Sequence, residues 1–191
     1  MSLKNRLKER SDLIISSSET IDSAVNEIAK ILCNSLKNRN KIMFCGNGGS
    51  AAESQHMAAE YCATLNHKNF RNGFPAISLT VDTSFITAWS NDFGYLEVFS
   101  RQVETIGKQG DSLICYSTSG TSKNIIEAAK KAKQKGINVI LFTGINEDLE
   151  IKDYCDYVFH VPSSNTALIQ ELHTVTGHEL CLRVENEMSN L

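Results

Sequence analysis

The stretch IMFCGNGGSAAESQHMAAEY, residues 42–61, changes character twice. Ile42-Met43-Phe44-Cys45 is short and continuously apolar, which suits a strand buried on both faces. Gly46-Asn47-Gly48-Gly49-Ser50 lets the backbone turn and approach a ligand with no Cβ in the way. From Ser50 onward the residues are mainly helix formers, with His56 and Glu60 four apart on one helical face. Strand, glycine turn and helix in that order begin a β–α–β unit.

The rest of the chain repeats the pattern. Further apolar runs stand at 76–80, 112–116, 138–142 and 157–161, each bounded by Gly or Pro. Helical segments are expected over 50–65, 94–106, 121–135 and about 165–186. Alternating strands and helices imply right-handed crossovers and a parallel sheet covered on both faces. The fold class is therefore α/β, a three-layer αβα sandwich on five parallel strands, flavodoxin-like. Two helical patterns precede it. The second has a capping-box sequence at Ser16-Ser17-Ser18-Glu19 and apolar Ile21, Val25, Ile28, Leu32 and Leu36 at helical spacing. We read one domain, with residues 1–38 as a helical arm that needs an apolar surface to cover, such as another subunit, and 39–191 as the α/β core.

Composition narrows the function classes. A chain of 191 residues with net charge −3 has no basic surplus to draw it to nucleic acid or an anionic membrane. The N-terminal MSLKNRLKERSD lacks the apolar core of a signal peptide, and no stretch is long enough to span a membrane. Six cysteines without a CxxC pair read as reduced residues of a cytoplasmic protein.

Ligands of such folds bind beyond the carboxyl ends of the strands. There the first loop, Gly46 to Ser50, opens a helix whose free N–H groups and dipole attract an anion. The loop Ser117-Thr118-Ser119-Gly120-Thr121-Ser122 follows the third strand and opens another helix. One hydroxyl there would be an ordinary N-cap; five in six residues suit a phosphate monoester. Gly46-x-Gly48-x-x-Ala51 formally fits a dinucleotide fingerprint, but that model gives His56 and Glu60 no task. No GxxxxGK[ST] motif is present.

His56 and Glu60 have potential counterparts on the last helix in Gln170 and His178, with Glu171 and His173 nearby. Two imidazoles, a carboxylate and an amide oxygen could hold zinc or a similar divalent ion. One carboxylate and one imidazole could equally work as base and acid without a metal. His67 reads as solvent-exposed and His160 as packing or loop hydrogen bonding. Gly177, odd in a helix interior, suggests close approach by another chain or a ligand. Asn91-Asp92-Phe93-Gly94 reads either as a turn and N-cap before the 94–106 helix or as a source of groups for sugar hydroxyls.

CGNGGSAAESQHMAAE, SNDFGYLEVFSRQVE, STSGTS and IQELHTVTGH, in this order over nearly the whole chain, resemble the sugar isomerase (SIS) domain proteins and, among them, the phosphoheptose isomerases. The resemblance implies that Asn47, Gly48, Gly49 and Ser50 line the substrate pocket and that Asn91 and Asp92 meet sugar hydroxyls. It implies that Ser117, Thr118, Ser119 and Ser122 hold the phosphate, with Gln170 also at the substrate. Glu60 is similar to the family's catalytic base and His178 to its acid. His56, Glu60, Gln170 and His178 match the zinc ligands of some members. A homotetramer with sites near subunit contacts is implied as well.

The implied reaction converts sedoheptulose 7-phosphate to D-glycero-D-manno-heptose 7-phosphate, the first step towards ADP- or GDP-heptose and materials such as lipopolysaccharide. Two other readings belong to the same superfamily: a non-catalytic adaptor of the replication-initiation type, and an isomerase or sensor for another sugar phosphate. The adaptor lacks the glutamate–histidine set present here. The chain departs from the family after Glu60, where YCATLNHKNFRNGFP lacks the usual Gly-Arg, and at Leu168, where many relatives have Arg. Both departures bear on the pocket rim or subunit contact more than on the reaction class.

Overall fold

The computed structural model describes residues 2–68 and 70–189. The chain runs α1 (Leu3–Ser16), α2 (Ser18–Lys37), β1 (Ile42–Gly46), α3 (Gly49–Cys62), β2 (Ala76–Ser78), α4 (Thr83–Phe93) and α5 (Val98–Ile106). It continues with β3 (Ser112–Tyr116), α6 (Lys123–Gln134), β4 (Asn138–Thr143), a 3-10 turn at Glu150–Tyr154, β5 (Tyr157–His160) and α7 (Thr166–Ser189). All strand pairs are parallel and the order is β2-β1-β3-β4-β5.

The apolar runs are continuous because the sheet is covered twice. Along β1, Ile42 and Phe44 enter one core with α2, α3 and α7, while Met43 and Cys45 enter the other with α5 and α6. Burying a side chain of this size contributes roughly 1.5–3 kcal/mol. Cys45 and Cys115 pair in register inside that second core as free thiols, Sγ atoms 3.7 Å apart. At the base of the sheet, buried Asp111 accepts from Lys41 N (3.0 Å), Lys108 N (2.9 Å) and Asn40 (3.1 Å), and pairs with the Lys41 ammonium. These bonds outweigh the desolvation that opposes them and hold its carboxyl below the usual range.

Several expectations change. The region read as a turn before a 94–106 helix contains α4, capped by Asp82, whose carboxylate accepts from Phe85 N at 2.9 Å. Gly94 ends α4 at φ +88°, and α5 starts only at Val98. Asn91 and Asp92 therefore sit in the last turn of α4, bonded to each other at 2.8 Å, not at an N-cap. The Ser16–Glu19 capping box does not form. Ser17 keeps helical backbone angles between α1 and α2, and its hydroxyl makes no hydrogen bond among the described residues. The second strand ends at Ser78 rather than at 80.

The apolar stripe of α2 is buried within this chain, whereas α1 buries no residue and leaves Leu3, Leu7 and Ile15 exposed. Arg10 of α1 pairs with Glu171 of α7 at 2.9 Å. Among the described residues, no helix is long and apolar enough to cross a membrane.

Candidate active site

β1 and β3 are neighbours, but their crossovers leave in opposite directions, to β2 and to β4. A crevice opens at such a switch point, and the two loops that border it are the two cradles.

In the loop after β3, Ser122 caps α6 with its backbone, its carbonyl accepting from Ile125 and Ile126 N–H at 3.1 and 3.0 Å. Its hydroxyl makes no capping bond; it accepts from Ser117 Oγ at 3.3 Å. The first N–H groups of α6 thus lack a side-chain cap and keep their pull on an anion. Ser119 is exposed, and its hydroxyl accepts from the N–H and hydroxyl of Thr121 at 3.2 and 3.0 Å. Gly120 is needed twice over. Its φ is +70°, and a Cβ would lie 2.5 Å from Leu149. Thr118 is half-buried beside it.

The loop after β1 forms a wall between two hollows. On one side, Asn47, Tyr95, Leu96, Ser122, Lys123 and Asn124 line about 300 Å³. On the other, Gly49, Glu53, His56, Gln170 and Thr174 are among the residues lining about 400 Å³. The Asn47 amide is engaged in a reciprocal pair with Asn124, both bonds 2.9 Å, and its oxygen also accepts from Tyr95 OH at 3.1 Å. Its side chain therefore ties the two cradles together. Gly49 is small for a different reason: a Cβ there would fall 2.6 Å from both polar atoms of the Gln170 amide. Ser50 is buried just behind, in the first turn of α3.

Helices α3 and α7 cross at this wall. Glu53, His56 and Glu60 form one stripe of α3; Gln170, Thr174 and His178 form one stripe of α7. The His56 and His178 rings meet edge-on with Nε2 atoms 2.7 Å apart, and His56 Nδ1 lies 3.7 Å from Glu60 Oε1. One ligand atom from each of His56, Glu60 and His178 lies within 4.8 Å of the others. The donor set fits a divalent cation such as zinc, which takes imidazole nitrogen and carboxylate oxygen together. The Gln170 amide lies against Gly49 in the adjoining hollow.

Glu53 was not among the residues the motifs singled out. It is 8% exposed; its Oε2 accepts from Thr174 Oγ1 at 2.6 Å, and its Oε1 is buried without a partner among the described residues. Burial pushes its carboxyl up, against the Thr174 bond and the neighbouring His56 and His178. Gly177 makes this crossing possible, since a Cβ would meet Met57 Sδ at 2.5 Å. Its close neighbour is α3 of the same chain, not a ligand or another chain. Tyr95, Lys123 and Asn124 were also missed, because nothing in their local sequence marks them. Glu53 had a signal, its place one turn before His56.

The remaining candidates lie elsewhere. His173 is buried among Tyr116, Phe142 and Phe159, and burial lowers its imidazole to about 4. His67 is exposed, and His160 bonds Gly144 O at 3.0 Å. Leu168 is buried, not on the pocket rim.

A doubly wound domain with this crevice is the class that the SIS domain family represents, and that family's model matches residues 7–144. The chain is 46% identical to the phosphoheptose isomerase of Aliarcobacter butzleri, over 90% of this chain and 89% of the relative. It is 47% identical to that of Clostridium acetobutylicum, over 86% of this chain and 82% of the relative. The solved phosphoheptose isomerase of Neisseria gonorrhoeae superposes with TM-score 0.87 at 35% identity, over 97% of this chain and all of that one. The chain belongs to the phosphoheptose isomerase family of SIS-domain proteins.

Proposed function

We infer that this chain is an aldose–ketose isomerase that converts sedoheptulose 7-phosphate to D-glycero-D-manno-heptose 7-phosphate. Its similarity to phosphoheptose isomerases supports the substrate. The observation that carries the chemistry is the meeting of Glu60 and His178, 118 positions apart in sequence, with His56, which also lines the hollow that Gly49 and Gln170 border.

The phosphate sits on Ser117, Thr118, Ser119 and Ser122 and the N-terminus of α6, far from the reacting carbons. Its binding energy therefore serves to position them. Backbone groups of Asn47, Gly48 and Gly49, with Ser50, hold the sugar, and Asn91 and Asp92 meet its hydroxyls. Glu60 takes a proton from C1 while His178 stabilises the charge developing on the C2 oxygen, giving a cis-enediolate. Glu60 returns the proton to C2, and the C1 hydroxyl proton passes by way of His178 to the C2 oxygen, leaving an aldehyde at C1 and a hydroxyl at C2. His56, Glu60, Gln170 and His178 would hold zinc, which when bound supplies a Lewis acid at the substrate oxygens.

The enzyme works in the cytoplasm as a homotetramer, with sites near subunit contacts. The exposed apolar residues of α1 suit such packing. Within residues 1–38, α1 serves as its packing arm, while α2 joins residues 39–191 in the core.

The test is turnover of sedoheptulose 7-phosphate by the purified protein, followed as formation of the aldose, with and without a chelator, alongside elemental analysis. Glu60→Gln is expected to abolish turnover while phosphate still binds. Full activity in Glu60→Gln would remove the base, and an inactive wild type would point to another sugar phosphate or an adaptor.

A further inference from the structure

Glu60 stands near the end of α3, where carbonyls run out of intrahelical partners. Ala63 N–H takes the Ala59 carbonyl at 2.8 Å. Arg71, from the loop beyond, reaches the next two carbonyls: Nη2 donates to Glu60 O at 3.1 Å and Nη1 to Tyr61 O at 3.0 Å, the latter shared with Phe74 N–H at 3.0 Å. A guanidinium here also meets the negative end of the helix dipole.

Arg71 is itself held tightly. Its Nε and Nη2 grip Glu185 Oε1 at 2.9 and 2.8 Å, and its guanidinium lies 3.8 Å from the Phe74 ring centre. The two charged side chains are only 8% and 3% exposed. Glu185 also accepts from Leu65 N at 2.9 Å, Asn66 N at 3.3 Å and Thr64 Oγ1 at 3.2 Å. It lies on α7, seven residues after His178. The pair therefore joins the Glu60 end of α3 to the helix that carries His178. By contrast, among the described residues the Glu60 carboxylate makes no hydrogen bond; its ion-pair contact with His56, at 3.7 Å, is too long for one. Its placement therefore comes from the end of α3, where Arg71 is the side chain that bonds the Glu60 carbonyl.

We propose that Arg71, anchored by Glu185, is a positioning residue for the base. This rests on Glu60 being that base. Lysine at 71 keeps the charge but cannot span two carbonyls and a carboxylate at once. Arg71→Lys is expected to lower kcat about 10- to 100-fold, as expected for a misplaced base. KM for the sugar phosphate and inhibition by inorganic phosphate should stay within twofold of wild type, because the cradle is untouched.

The deciding readout is the combination with Glu60→Asp. If Arg71 acts through Glu60, Arg71→Lys costs less than threefold more once the carboxylate has been moved. Full multiplication of the two losses, an unchanged kcat in Arg71→Lys, or a loss shared with phosphate binding would overturn the proposal. Glu185→Gln, which keeps shape and removes charge, should reproduce the Arg71→Lys pattern and carries the test if that variant does not fold; wild-type kcat in Glu185→Gln would likewise overturn it. Failure of the base reading looks different: Glu60→Gln would then retain turnover whatever Arg71→Lys does.

Discussion

Replacing Gly49 with alanine separates the stability of this site from its chemistry. Gly49 does not use a positive φ, so alanine is allowed on its own backbone. The new methyl would sit 2.6 Å from Nε2 and Oε1 of Gln170 and 2.8 Å from its Cδ. Favourable contacts lie near 3.5 Å, so the amide must retreat by about 1 Å. Gln170 is the flexible partner and can do so at about 0.5–1.5 kcal/mol for an off-rotamer torsion. Removing a glycine from the unfolded ensemble returns about 0.4–1 kcal/mol. The terms nearly cancel, and Tm should stay within about 3 °C of wild type. Turnover should not survive as well, because a displacement of about 1 Å in a positioned group costs on the order of 100-fold. Aldose formation from sedoheptulose 7-phosphate and thermal unfolding by circular dichroism measure the two effects, and zinc titration calorimetry should show weaker binding. Turnover within threefold of wild type at an unchanged Tm would refute the reasoning, since Gln170 would then have moved without consequence.

Two other outcomes are expected. Ser119→Ala should raise KM for the sugar phosphate about tenfold, the loss of one hydrogen bond to a charged group, whereas Ser163→Ala, whose hydroxyl accepts from Asn165 N, should change it little; equal effects would argue against the Ser117–Ser122 cradle. His173 makes stability depend on pH. Its folded value of about 4 lies below the ordinary 6.5, so the unfolded chain binds the extra proton first. Its contribution is complete above pH 6.5 and is lost as pH falls towards 4, by about 3 kcal/mol in total. Urea unfolding of His173→Phe across that window should show a shallower slope, and identical slopes would remove His173 as the cause.

The strands were legible because a parallel strand covered on both faces must be apolar at successive positions, as Ile42 to Cys45 are. Helix α4 was not legible. TSFITAWSNDF is rich in β-branched, aromatic and turn-forming residues, and its helix depends on the Asp82 cap and on Phe85, Trp89 and Phe93 packing one turn apart. The pairing of His56 with Glu60 was readable because four residues make one helical turn, and the hydroxyl-rich loop because five such residues crowd one helix start.

Local spacing thus determined the α/β alternation, the two loops and the residues worth watching. Only the tertiary structure decided that α3 and α7 cross with Glu53 on Thr174, that Asn47 bonds Asn124, and that Arg71 reaches Glu185. These partners lie 77 to 121 positions apart in the chain. Periodicity reports which side of a helix a residue occupies; it carries no information about which distant helix packs against that side. The packing that brings them together is set by side-chain volumes at the crossing, such as Gly177 under Met57.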